Sequence, residues 1–252
     1  MKLSLPSLSN ISFSWLWLTL LTLVLSLGLS WVLLIPLDFA YPWFYEWIDI
    51  HRHIETFAPK NAFKADFVVT TDEERFRLFS LIVEAIHQQG VGLTSLTYHD
   101  QKGLAIDTLL NHDEVVHLQD VATLIERLKI LLMICIGLFV LIQSWMAARS
   151  DALPSFGSIF LSVMLFIVVF VIGILLIGPY EVFYKLHMWI FPAEHKWFFY
   201  YEESLMSTMM KAPDLFAYIA ILLLLVTLPI LVALMSLNRW IVGFGIRRRS
   251  QA

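Results

Sequence analysis

The chain has 252 residues, 59% of them apolar and only 15% charged, against roughly 25% charged residues in soluble domains. That composition excludes an ordinary soluble protein and points to a membrane one. The net charge of −4 argues against nucleic acid as a partner.

Residues 1–37 hold a short N-terminal segment and the first charge-free apolar window, 15–37. It is longer than the roughly 7 to 15 apolar residues of a cleavable signal, and no small-x-small site follows. A retained transmembrane helix is expected. Three more windows, 130–148, 159–177 and 215–237, are also uncharged and long enough to span. A bilayer core offers the backbone no partners, so all four are predicted helices.

Four spans put both termini on one side. Lys2, Arg149, Arg239, Arg247, Arg248 and Arg249 lie on that side against a single acid, Asp151. The positive-inside rule therefore makes the turn 149–158 and the basic tail of 215–252 cytoplasmic. Residues 38–129 and 178–214 fall outside, with every other acid and base and all eight histidines. The predicted fold class is an all-α membrane protein: four transmembrane helices with a small α/β extracytoplasmic cap.

Within the cap segment 38–129, Tyr41, Trp43, Phe44, Tyr45 and Trp47 form an aromatic loop after the first span. His51 and His53 make an H-x-H pair expected on an extended strand, where that spacing is more often accidental than metal-binding. The stretch TTDEERFRLFSLIVEAIHQQG reads as a helix capped by Thr71 or Asp72, with an acidic first turn and Gly90 at its end. Phe76, Phe79, Ile82, Val83 and Ile86 form its apolar stripe. A hairpin is expected around 100–103. Asn111, with Glu114 three residues on, opens the next helix with a capping box. His117 sits near the start of that helix, which runs on into the second span.

The outer segment 178–214 is crowded with aromatics, ten of the 22 residues in 180–201. An interfacial belt accounts for them; so does the wall of a dry pocket for lipid chains. Glu114, His117 and Asp120 recur every three residues and share one helical face. A carboxylate beside an imidazole fixes its tautomer and stabilises its cation, although a solvated helix end has the same pattern. His187, just past the third span, is either an interfacial histidine or a second catalytic group. The helices of the second and third spans are expected to be antiparallel neighbours, which would let His117 and His187 meet.

His87, His99, His112 and His195 read as ordinary surface residues or as residues behind the site. Cys135 lies inside the second span, so no disulfide or thiolate metal site is available to the cap. No H-E-x-x-H, G-x-S-x-G, P-loop or G-x-G-x-x-G is present. The spans carry no titratable residue suited to an ion-coupled transporter. No metal or cofactor is expected.

Two stretches, DEVVHLQDV before the second span and PYEVFYKLHMWIFPAEHKWFF after the third, with nine residues between His187 and Trp197, resemble the lipoprotein intramolecular transacylase (Lit) family of bacterial membrane enzymes. The resemblance covers most of the chain. It implies a diacylglyceryl-modified lipoprotein as substrate and an acyltransferase that moves the sn-2 acyl chain to the α-amine of the N-terminal cysteine, giving the lyso form. It places the protein in the bacterial cytoplasmic (inner) membrane, among membrane lipids, with the active site extracytoplasmic. His117 and His187 match the family's catalytic histidines. Provisionally, His117 is the base, supported by Glu114 or Asp120, and His187 polarises the carbonyl or protonates the leaving oxygen; the reverse order stays open. Phe183, Tyr184, Phe191 and Trp197 are the expected substrate-binding wall. The segment FPAEHKWFFYYEESLMS departs from the family pattern by inserting His195 and several acids. The alternatives are a membrane acyltransferase of the same fold acting on another lipid, and a non-catalytic partner or sensor with a ligand-binding cap.

Overall fold

The computed structural model of the protein describes residues 13–149 and 155–249, with side chains as far as Phe244. Lys2, Asp151, much of the predicted turn 149–158 and the side chains of Arg247, Arg248 and Arg249 lie outside the described residues. Among the described residues, four helices are long and apolar enough to cross a membrane by length and composition: α1 (Phe13–Leu34), α5 (His112–Ala148), α6 (Phe156–Ile177) and α9 (Asp214–Arg249). Shorter elements complete the fold: α2 (Tyr41–Trp47), α3 (Ile50–Phe57), α4 (Asp72–His87), α7 (Pro179–Ile190), α8 (Leu205–Met210), and the strands β1 (Thr97–His99) and β2 (Ala105–Thr108). The described residues are thus mostly helical, with one two-stranded sheet.

The α-helix of the first window stops at Leu34, short of the predicted end at 37. Pro36 lacks an N–H and starts a tighter turn over Ile35–Ala40. There Asp38, Phe39 and Ala40 adopt φ of 47, 51 and 61°, a left-handed run that costs non-glycine residues energy and redirects the chain. Phe39 is buried at that corner.

The chain divides into two compact units. The first comprises the chain up to Val32, Ile130–Ile177 and the chain from Leu223. Trp15 and Leu18 of α1, Met146 of α5, Ile159 and Val163 of α6, and Leu231, Met235 and Val242 of α9 form its buried core. A Cβ on Gly28 would meet the Leu132 side chain at 2.7 Å, so glycine lets α1 and α5 approach closely. Polar groups also face inward: the Asn238 amide donates to the Thr22 hydroxyl at 2.8 Å, and the Thr227 hydroxyl lies 3.0 Å from that of Ser30.

The second unit comprises Leu33–Lys129 and Gly178–Leu222. Thr71 caps α4 by accepting from the Glu74 N–H, as its position before an acidic turn requires. Phe79, Ile82 and Val83 of the predicted stripe are buried, but Leu78 and Ala85 join them while Phe76 and Ile86 stay half-buried. Tyr41 of α2 stacks on Phe79, ring centroids 3.9 Å apart, and Tyr45 meets Phe76 edge-on. Arg75 is buried on the same helix; it donates to the Tyr45 hydroxyl, Asp72 and Thr70, which offsets the desolvation of its charge.

Strands β1 and β2 pair antiparallel, Thr97 opposite Thr108, with an irregularity after Tyr98. Their turn is held by Asp100, whose carboxylate accepts from Lys102 and Leu104 N–H. The H-x-H pair is on helix α3, not on an extended strand. The apolar residues Ile50 and Ile54, four apart, are both buried and make the helical period the favoured one. His51 consequently joins Tyr45, Asp72 and Glu55, whereas His53 packs against Phe57 and Tyr201.

Candidate active site

Helix α5 begins with a reciprocal capping box: the Glu114 N–H donates to Asn111 Oδ1 at 2.9 Å, and the Asn111 N–H donates to Glu114 Oε2 at 2.6 Å. Glu114 also accepts from the Ser204 hydroxyl and the Met206 N–H. Those bonds seat α5 on the wholly buried helix α8. His117 follows one turn later, only 9% exposed.

His187 occupies the last turn of α7, a helix started by Pro179 after Gly178. Gly178 has φ +99°, a conformation open to glycine at little cost. The helix ends with the Phe191 N–H donating to the His187 carbonyl.

The two imidazoles lie with ring centroids 6.2 Å apart. Phe191 stands beside both, 5.1 Å from His117 and 5.3 Å from His187. Phe183 and Trp197 pack on His187 at 4.0 and 5.1 Å, and Phe199 on His117 at 5.9 Å. Tyr184 backs Trp197 at 5.5 Å. Of the predicted wall, Phe183, Phe191 and Trp197 thus line the histidine pair and Tyr184 stands behind it. Phe199 was not singled out from the sequence, because its run of aromatics carries no periodicity that separates inward from outward rings.

Burial also sets the charge state. Enclosure pushes His117 down to about 4, the nearby His187 adds to this, and the negative Asp120 opposes it. His187 is also held below the ordinary imidazole value by burial, opposed by its bond to the Phe183 carbonyl. Both rings are therefore neutral at pH 7.

That bond also assigns a tautomer. The Phe183 carbonyl lies 2.8 Å from His187 Nδ1, and a carbonyl can only accept, so Nδ1 carries the proton and Nε2 the basic lone pair. His117 Nδ1 is enclosed without a hydrogen-bond partner among the described residues.

The expected carboxylate partners of His117 are engaged elsewhere. Glu114 has both oxygens committed to the cap and to α8, and burial raises its own pKa. Asp120 Oδ2 is 2.7 Å from His195 Nδ1, so it acts on His117 through its charge and not by a hydrogen bond. Spacing by three placed all three residues on one helical face, but it could not report which loop comes down on that face. Among the described residues, no group of three or more His, Cys, Asp or Glu is placed to hold a metal ion.

Two neutral imidazoles, one with a defined basic nitrogen, enclosed by aromatic rings, suit proton transfer in a water-poor setting. No curated protein and no solved structure matches the chain. A family model does: that of the lipoprotein intramolecular transacylase Lit, over residues 15–216. The match spans both histidines and every aromatic ring around them, and the chain belongs to the lipoprotein intramolecular transacylase family.

Proposed function

We propose that the chain is a multi-pass acyltransferase of the bacterial cytoplasmic membrane, with both termini cytoplasmic and the unit bearing His117 and His187 on the outer side. Its substrate is a lipoprotein whose N-terminal cysteine carries a diacylglyceryl group and a free α-amine. The sn-2 acyl chain moves from the glycerol oxygen to that amine, giving the N-acyl lyso form. The observation that carries this reading is the pair of imidazoles, ring centroids 6.2 Å apart, among Phe183, Phe191, Trp197 and Phe199, in a chain of this family.

The chemistry asks for one base and one acid. The amine attacks the ester carbonyl and must lose a proton, which His187 Nε2, left with the basic lone pair by the Nδ1 bond to Phe183, accepts. The bond from the carbonyl carbon to the glycerol oxygen then breaks, and the imidazolium returns its proton to that oxygen. His117, kept neutral by burial, serves as a hydrogen-bond donor to the developing oxyanion. This reverses the provisional order of the sequence reading. The reason is the Phe183 carbonyl, which stabilises the cation on His187 through a hydrogen bond, whereas His117 Nδ1 has no hydrogen-bond partner among the described residues and its cation is favoured only by the charge of Asp120. Phe183, Phe191 and Trp197 hold the acyl chain and exclude water.

An ester becomes an amide, which is downhill, so no nucleotide is consumed. Donor and acceptor belong to one molecule, and folding them together contributes at best about 7–11 kcal/mol.

The test is mass spectrometry of the N-terminal peptide of a reporter lipoprotein expressed with wild type, His117→Ala or His187→Ala. Conversion by the wild type alone is expected. No conversion by a well-expressed wild type overturns the substrate assignment, and conversion by both variants overturns the site.

A further inference from the structure

The stretch from Pro192 to Phe199 leaves the end of α7 and carries Trp197 and Phe199 back onto the histidines. It has little fastening of its own. Among the described residues, the backbone hydrogen bond within it is that of the His195 N–H to the Pro192 carbonyl. Lys196 lies over the Phe199 ring and pairs with Glu203 at 3.2 Å, which ties the stretch to its own continuation. Glu194 is exposed. The polar tie to α5 is His195 Nδ1 to Asp120 Oδ2 at 2.7 Å. A carboxylate only accepts, so Nδ1 is the donor. Both side chains are partly exposed, 36% and 20%; the tie sits at the rim of the enclosure, not within it.

A strap held at one polar point matters for this reaction in particular. Resting on the acyl transfer above, we propose that the His195–Asp120 pair latches the aromatic strap over His117 and His187 and thereby makes the amine, not water, the acyl acceptor. The competing step uses the same base. His187 Nε2 takes a proton from water, the water oxygen bonds to the carbonyl carbon, and the ester bond to glycerol breaks. The glycerol oxygen receives the proton, a fatty acid is released and the α-amine stays free. Exclusion of water suppresses this route; the latch maintains that exclusion without touching the reacting atoms, so His195 and Asp120 are positioning residues.

The test uses full-length protein in detergent with a synthetic diacylglyceryl lipopeptide bearing a free α-amine. Mass spectrometry measures the N-acyl lyso peptide against the lyso peptide with free amine plus fatty acid. Wild type is expected to give almost entirely the first. His195→Ala and Asp120→Ala are expected to raise the hydrolysed share by about tenfold or more. Asp120→Asn keeps an acceptor oxygen for Nδ1–H and is expected to restore the wild-type partition. If an alanine variant does not accumulate, His195→Phe keeps a ring without the donor and is expected to behave like alanine. Folded latch variants with an unchanged partition, whatever their total rate, overturn the latch and leave the transacylation intact. A wild type that yields neither product overturns the reaction itself.

Discussion

The two compact units differ in what they leave on the outside. In the unit holding α4 and the hairpin, Tyr41, Tyr45, Ile50, Ile54, Leu78 and Tyr98 are wholly enclosed, and the one buried guanidinium, that of Arg75, is fully engaged by Tyr45, Asp72 and Thr70. In the unit of long helices, Leu165, Phe166, Val169, Phe170 and Leu176 of α6 point outward, while Thr22, Ser26, Ser30, Thr227 and Asn238 are inside. Water rewards the first arrangement. In hydrocarbon a leucine gains nothing by turning inward, and helices meet through small residues and hydrogen bonds. The two surfaces thus carry patterns suited to two different solvents, and the histidine pair belongs to the unit with the water-suited pattern although it is itself enclosed.

The sharpest trial of that shielded site is His187. His187→Ala is expected to slow acyl transfer by about 10²–10⁴-fold, read as the rate of N-acyl peptide formation. His187→Gln can still donate to the Phe183 carbonyl but has no basic nitrogen, and should be as slow as alanine. A glutamine variant near wild-type rate would sink His187 as the base.

Next comes the contrast in packing. Leu78→Ala, in the enclosed core, is expected to cost about 2–5 kcal/mol of unfolding free energy. Leu165→Ala, on the outward face of α6, should stay within about 0.5 kcal/mol. Chemical unfolding in detergent compares them; equal losses would erase the distinction between the units.

Acid provides a gentler separation. His117 and His53 are both held near 4 in the folded state, chiefly by burial, against an ordinary value of 6.5. Between those values the unfolded chain binds more protons, so stability is full above about pH 6.5, falls as pH drops towards 4 and levels off below. A thermal midpoint that falls over this window in wild type, and falls less in His53→Phe, is the expected result. Acyl transfer should also persist below pH 6.5, since His187 is held below the ordinary value as well.

The smallest effect is local. Thr71→Ala removes the cap of α4 and should cost about 1 kcal/mol, a shift visible in the unfolding midpoint with no change in acyl transfer.

Much of this organisation can be read from residue order. A helix end announces itself through short-range chemistry, as Asn111 with Glu114 and Thr71 with its acidic turn do, and charge-free windows are set by composition alone. What stayed hidden depends on distant segments. The helical form of His51 and His53 follows from burial of Ile50 and Ile54 against the rest of their unit. The partner of Asp120 comes from 75 residues away, and the inward turn of Phe199 is decided by the fold of an irregular stretch. His195 gave one signal, as a histidine among inserted acids, but its contact with α5 is a tertiary fact.

The hydroxyls of α1 bear on the order in which the protein is assembled. Thr22, Ser26 and Ser30 donate to the carbonyls of Leu18, Thr22 and Ser26, each four residues back. A helix that satisfies its own polar side chains in this way can wait in lipid alone while later segments are still being synthesised. When α9 arrives, the same oxygens are reused: Thr22 accepts the Asn238 amide and Ser30 meets Thr227. Thr227 of α9 also donates to the carbonyl four residues back, but the Asn238 amide, one residue past the uncharged window, finds its acceptor on α1, so α9 depends on finding α1 already in place.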